Sequence, residues 1–258
     1  MAGIRSTVDM APFRINRYQE ETMSDIEKPV ALITGGGRGM GEAIARELAA
    51  NGYRLALMSP SESCETLAAE LGGVASRGVA EKAEDIQAVF DLAMKSYGRI
   101  DAVVNHTGHP PKGDLLDISD ESWTLGSDMM ILSLVRMARL VTPVMLKQGK
   151  GAFVNITTFA AYEPSLVFPV SCTYRAAAGA FTKLYSDRYA ADNIRMNCIL
   201  PGYIDSLNHK PETADKVPMK RIGLMSEIAK TAAFLLSDGA GYITGQNIRV
   251  DGGITRHV

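Results

Sequence analysis

The segment Thr34-Gly35-Gly36-Gly37-Arg38-Gly39-Met40-Gly41 lies between the apolar run Val30-Ala31-Leu32-Ile33 and the stretch Glu42 to Ala50, which has helical spacing. The order is strand, glycine turn, helix. Glycine permits positive φ and lets backbone approach a ligand closely, while the first turn of the helix offers unpaired N–H groups and a partial positive charge. A pyrophosphate fits such a turn, so the segment predicts a dinucleotide site.

The alternation continues along the chain. Asn51-Gly52 ends the first helix, and Tyr53 to Met58 reads as a second strand. Ser59-Pro60-Ser61 reads as the cap of a helix reaching Leu71, followed by a strand Val74 to Val79 and a helix Ala83 to Tyr97 with apolar residues at Ile86, Val89, Phe90 and Ala93. A fourth strand, Ile100 to Asn105, leads into the loop His106 to Gly113. Then come a long helix Ser119 to Lys147, a strand Ala152 to Thr157, a helix Pro169 to Ala191, a strand Arg195 to Leu200, a polar loop Tyr203 to Gly223, a helix Ser226 to Leu236 and a strand Asn247 to Val250. Strands and helices at this spacing imply right-handed crossovers and a parallel sheet. The expected fold is α/β, a single doubly wound Rossmann-type domain over residues 28–258 with a seven-stranded parallel sheet.

Residues 1–27 carry no helical or strand period and read as a disordered extension, with Met23 a possible start of the working protein. A net charge of −2 gives no reason to expect nucleic-acid binding, and a small soluble molecule is the expected partner. Cys64, Cys172 and Cys198 lack metal-ligand spacing and read as reduced thiols in a cytoplasmic protein. No uninterrupted apolar run has the length of a membrane helix, and no metal site is expected.

These motifs together resemble the short-chain dehydrogenases and reductases, in the group similar to 3-oxoacyl-carrier-protein reductase. The resemblance rests on the TGxxxGxG pattern at Thr34 to Gly41, on Asn105-His106-Thr107-Gly108 where the family has NNAG, on Pro201-Gly202, and on Tyr242-Ile-Thr-Gly-Gln246 leading to Val250-Asp-Gly-Gly253. It implies an NAD(P)(H)-dependent oxidoreductase of a carbonyl or alcohol, commonly a homodimer or homotetramer. It also implies a catalytic tetrad of Asn, Ser, Tyr and Lys.

The tetrad is where this chain departs. Tyr174 is the apparent start of the family's Tyr-x-x-x-Lys, but Ala178 stands four residues on. The run Arg175 to Lys183 matches the stretch that begins at the family's lysine, and Pro201 lies 26 residues after Arg175. In that register Arg175 takes the lysine place, Ser171 the tyrosine place, Thr158 the serine place and Met130 the asparagine place. A serine hydroxyl is a far weaker acid than a phenol, and arginine does not deprotonate as lysine does. Tyr174, at i+3 from Ser171, can lean toward the site or pack on the helix flank. Thr158 and Arg175 can instead polarise a substrate oxygen without giving a proton. His106 and His109 are alternative acids, and Cys172 is a candidate nucleophile or a packing residue.

The resemblance places the cofactor on Gly35, Arg38, Gly39, Met40, Gly41, Ser59, Asn105, Gly108, Arg175, Pro201 and Gly202. Ser59 stands where an acidic residue would reject a 2′-phosphate, and Arg38 can contact that phosphate, so the cofactor reads as NADP or NAD with a lean to NADP(H). The usual aspartate after the third strand is missing from Gly78-Val79-Ala80. Lys210, Lys216, Lys220 and Arg221 in the substrate loop either favour an anionic substrate or are solvated. Two functions remain: an oxidoreductase with an atypical site, or a catalytically degenerate nucleotide-binding or regulatory homologue.

Overall fold

The computed structural model describes residues 28–256. The extension read at residues 1–27 lies outside them. Seven parallel strands, β1 (Val30–Thr34), β2 (Arg54–Ser59), β3 (Val74–Arg77), β4 (Ala102–Asn105), β5 (Gly151–Ile156), β6 (Ile194–Pro201) and β7 (Asn247–Val250), form one sheet in the order β3-β2-β1-β4-β5-β6-β7. The order reverses between β1 and β4, and in doubly wound sheets the crevice above that reversal holds the ligand. The expected architecture is therefore observed.

Helices α1 (Gly39–Ala50), α2 (Ser63–Glu70), α3 (Ala83–Tyr97), α4 (Asp120–Ser127), α5 (Ser133–Gln148), α6 (Pro169–Tyr189) and α7 (Met225–Leu236) cover both faces. Because strand side chains alternate, neighbouring residues feed opposite cores. Ala31, Ile33, Leu55, Leu57, Val154 and Ile156 pack toward α1 and α7. Leu32, Ala56, Met58, Val103 and Phe153 pack toward α3, α5 and α6. That double burial explains why the strands read as continuous apolar runs rather than alternating ones.

Two elements differ from expectation. Ser59 does not cap a helix: it is the last residue of β2, paired with Arg77, and α2 begins only at Ser63. The long helix is interrupted by a π-helical segment, Asp128–Leu132, between α4 and α5. Such an insertion bulges a helix locally and turns the following face, a change that hydrophobic period does not reveal. The run Asp120–Gln148 is long and apolar enough to cross a membrane by length and composition. Within this fold, however, Met137, Val141 and Met145 bury its inner face against the sheet.

Phe153 lies at the centre of the second core, 1% exposed and edge-on to Tyr185 with ring centroids 5.3 Å apart. Phe153→Ala removes that ring and leaves a void, and chemical denaturation should show a loss of roughly 3–5 kcal/mol.

Candidate active site

The glycine turn is built by contacts that no side chain permits. Gly35 and Gly39 adopt φ of 61° and 59°. A Cβ on Gly41 would lie 2.0 Å from the Gly35 carbonyl oxygen, and one on Gly37 would lie 2.4 Å from Ser59 Oγ. Arg38, at the N-cap of α1, has extended backbone and supplies no side-chain cap. The amides of the first turn of α1 are thus available to an anion. This cradle fits the pyrophosphate of a dinucleotide.

Thr34, at the end of β1, ties the turn to the loop after β4: its Oγ1 donates to the His106 carbonyl at 2.9 Å and accepts from the His106 amide at 3.0 Å. Below, Asn105 Nδ2 donates to Asn155 Oδ1 at 2.8 Å, and Asn155 Nδ2 donates to Thr182 Oγ1 at 2.9 Å. These buried bonds fix the strand ends on which the crevice stands.

A cavity of about 740 Å³ opens above them. It joins Arg38, Gly39 and Met40 of the turn to Thr158 after β5, to Ser171 and Arg175 on α6, and to Pro201 and Gly202 after β6. Gly108, His106 and His109 also line it. A second cavity of about 720 Å³, lined by Tyr53, Asp101 and Arg195 among others, opens at the opposite strand ends and lacks the glycine turn. The first lies where doubly wound sheets hold ligands, outside the carboxyl ends of the strands.

Other expected residues stand apart from that cavity. Gly35 and Gly41 shape the turn from within, Asn105 lies under the floor, and Ser59 is 5% exposed with its hydroxyl on the Ser61 carbonyl. Tyr174 does not lean into the site. Its ring packs edge-on to Trp123 at 5.9 Å, against α4, so of the two placements open to it the helix flank is the one adopted. Cys172 is buried beside Ser165 and does not line the cavity, in keeping with a packing role. Met130 sits in the π-helical segment beside a void of about 10 Å³ next to Arg175.

Arg175 is 7% exposed. Its Nη1 donates to the carbonyls of Ile156 at 2.6 Å and Thr157 at 3.2 Å, its Nε to Ser171 Oγ at 3.2 Å and its Nη2 to Gly108 O at 3.4 Å. Most of its donors therefore hold the loops together. Burial pushes the guanidinium down to about 10. Because Ser171 accepts from Nε, its own O–H is left to donate. Thr158 Oγ1 likewise accepts from the Ala160 amide at 3.3 Å, leaving its proton free. Two hydroxyl donors thus share one wall.

Aromatic residues not anticipated from the sequence complete the cavity. Tyr203, immediately after Pro201-Gly202, lies between the rings of Phe159 at 5.6 Å and His209 at 5.4 Å. Its place beside the Pro-Gly break was the signal that could have found it. The basic residues of the substrate loop do not line the cavity: Arg221 is bidentate to Glu227, and Lys220 donates to the Asp215 carbonyl.

A family model described as Enoyl-(Acyl carrier protein) reductase matches residues 35–255. The chain is 33% identical over 256 residues to oxidoreductase UcpA of Salmonella typhimurium, an alignment spanning 90% of this chain and 97% of that one. It is 34% identical over 241 residues to the 3-oxoacyl-(acyl-carrier-protein) reductase FabG of Chlamydia trachomatis, spanning 87% and 96% of the two. The chain belongs to the short-chain dehydrogenase/reductase family. Among solved structures it is similar to an L-sorbose reductase from Gluconobacter frateurii complexed with NADPH and L-sorbose, at TM-score 0.83 and 28% identity over 90% of this chain and 98% of that one. Family membership makes the protein an NAD(P)(H)-dependent oxidoreductase of a carbonyl/alcohol pair, as the sequence motifs implied. Of the short-chain dehydrogenase/reductase landmarks, the glycine turn and Pro-Gly break meet in one cavity with Ser171 and Arg175.

Burial, reinforced by the Arg175 charge, pushes the His106 imidazole down to about 4, so the ring is neutral near pH 7. Its Nδ1 faces the Gly35 carbonyl at 3.4 Å, and since a carbonyl only accepts, Nδ1 carries the proton in that contact. An unfolded histidine titrates near pH 6.5, so between about 6.5 and 4 the unfolded chain binds a proton that the folded chain refuses. Stability therefore falls as pH drops through that window, by at most about 1.4 kcal/mol per pH unit from this residue. His106→Asn should flatten that part of the stability profile, measured by urea titration at stepped pH.

Proposed function

We propose that this protein is an NADP(H)-preferring carbonyl reductase in which Thr158 and Ser171 stabilise the developing alkoxide. The observation that carries this reading is the single cavity joining the glycine turn to the Thr158, Ser171 and Arg175 wall. Gly39, Met40, Arg38 and the first turn of α1 would hold the cofactor's pyrophosphate end, with Pro201-Gly202 at the other end of the groove. Bound there, the reduced nicotinamide supplies a hydride to the carbonyl carbon. The two hydroxyls each have an accepting partner that fixes the oxygen and leaves its proton for the substrate. Fixed donors placed where negative charge grows are worth more than the mobile dipoles of bulk solvent. The buried positive charge of Arg175 behind Ser171 strengthens that donation. The proton that completes the alcohol comes through these hydroxyls from solvent.

NADP(H) is favoured because β2 ends in Ser59 rather than a carboxylate and Arg38 is exposed at the mouth of the groove. The L-sorbose reductase bound to NADPH supports the same reading. A homodimer or homotetramer in the cytoplasm is consistent with the apolar side chains Leu125, Leu132 and Leu184, exposed at 38%, 39% and 69%, and with three free cysteines.

Purified protein assayed for NADPH and NADH oxidation against a panel of aldehydes and ketones tests this. Turnover should be faster with NADPH. Thr158→Val should lower kcat by about 10²-fold, the usual loss for one such donor, with Tyr174→Phe retaining turnover. Cofactor binding without turnover of any carbonyl would instead support the catalytically degenerate reading.

A further inference from the structure

The cavity has an uneven charge. Among the residues that line it are two cations, Arg38 and Arg175, and no aspartate or glutamate. Lys112 adds a further cation at the rim, its Nζ 4.7 Å from the ring of the lining residue Phe168. The pyrophosphate of a cofactor answers Arg38, but not Arg175. Arg38 follows β1 and Arg175 is bonded at the end of β5, and β4 lies between those strands. The strands that carry them are two spacings, roughly 10 Å, apart, so the two cations belong to different parts of the groove.

Arg175 is a buried cation whose hydrogen-bond partners are three carbonyls and one hydroxyl, all neutral. A buried charge is costly without an opposite charge, and carbonyl dipoles offset only part of it. Its Nη2 is the least engaged nitrogen, with a single contact at 3.4 Å to the exposed Gly108 loop. That nitrogen makes one of the two hydrogen bonds it can donate, and Arg175 lines the cavity.

We infer that Arg175 forms a carboxylate-binding subsite, so that the substrate is an oxo acid with its carboxylate on or one carbon from the reacting carbonyl. The short spacing follows from the site itself: the guanidinium whose Nη2 takes the carboxylate is bonded through its Nε, at 3.2 Å, to the Ser171 hydroxyl that takes the carbonyl oxygen. Charge-assisted bonds from a guanidinium to a carboxylate are short, strong and directional. The depressed His106 imidazole fits the same positive potential, since the Arg175 charge contributes to holding that ring neutral. This inference deepens the reductase reading and rests on it for the identity of the reacting carbonyl.

The test compares oxamate, an unreactive anionic mimic of a short 2-oxo acid, with neutral oxamide by calorimetry on the full-length protein, with and without NADP⁺. Oxamate should bind roughly tenfold or more tightly than oxamide, and more weakly as chloride is raised. Arg175→Met should lose oxamate binding, while Arg175→Lys should retain part of it. If Arg175→Met does not fold, the wild-type charge comparison and the lysine variant still decide. Equal binding of the two probes, binding of neither, or oxamate binding unchanged in Arg175→Met would overturn the subsite. The two readings separate cleanly. Turnover of a neutral ketone without oxamate binding would sink the subsite and keep the reductase, whereas oxamate binding without any NADPH binding would do the reverse.

Discussion

The Gly35 carbonyl and the Cα of Gly41 approach so closely that no side chain fits between them. That contact closes the turn between β1 and α1 and aims the helix N-terminus at the crevice. Thr34 then fixes the loop after β4 to the same strand end through paired bonds with the His106 backbone. Between them, these contacts hold open a crevice at the point where the sheet order reverses, with its floor bonded through Asn105, Asn155 and Thr182. The chemistry of the site is arranged on that frame.

The far wall of the crevice illustrates how one substitution changes the work a position does. A lysine at residue 175 would carry a compact charge on a flexible stem, able to reach a ribose and to depress a neighbouring phenol. Arginine carries a rigid fork, and here the fork turns inward to the carbonyls after β5 and to the Gly108 loop. The position becomes a brace as much as a contact surface. With serine at 171 there is no phenol to activate, so the useful property of the cation is the field it places behind two hydroxyl donors.

Much of the fold was legible because it rests on local signals. Gly52 and Gly98, with φ of 85° and 72°, end α1 and α3 where the sequence placed the breaks. Apolar strand runs betrayed a sheet buried on both faces. Ser59 misled because serine-proline-serine is a good helix start, whereas pairing with Arg77 extends the strand through it. The π-helical segment at Asp128–Leu132 was not legible, since one extra residue in a turn leaves the apolar period almost unchanged. In the site, the register that puts Ser171 and Arg175 in the cavity could be counted from the sequence. The direction of Tyr174 could not, because it depends on Trp123 of a helix some fifty residues earlier. Nor could the partners of Arg175, which come from two separate stretches of backbone, Ile156-Thr157 and the Gly108 loop.

The central claim is that the glycine turn and the Thr158–Arg175 wall form one cofactor groove. Hydrogen–deuterium exchange with saturating NADPH, set by a prior fluorescence titration, tests it most directly. The account predicts slowed exchange at the amides of Gly35 to Gly41, in the loop after β4 and around Thr158. Protection confined to the cavity lined by Tyr53 and Arg195, or NADPH binding that leaves the glycine turn unprotected, would contradict it.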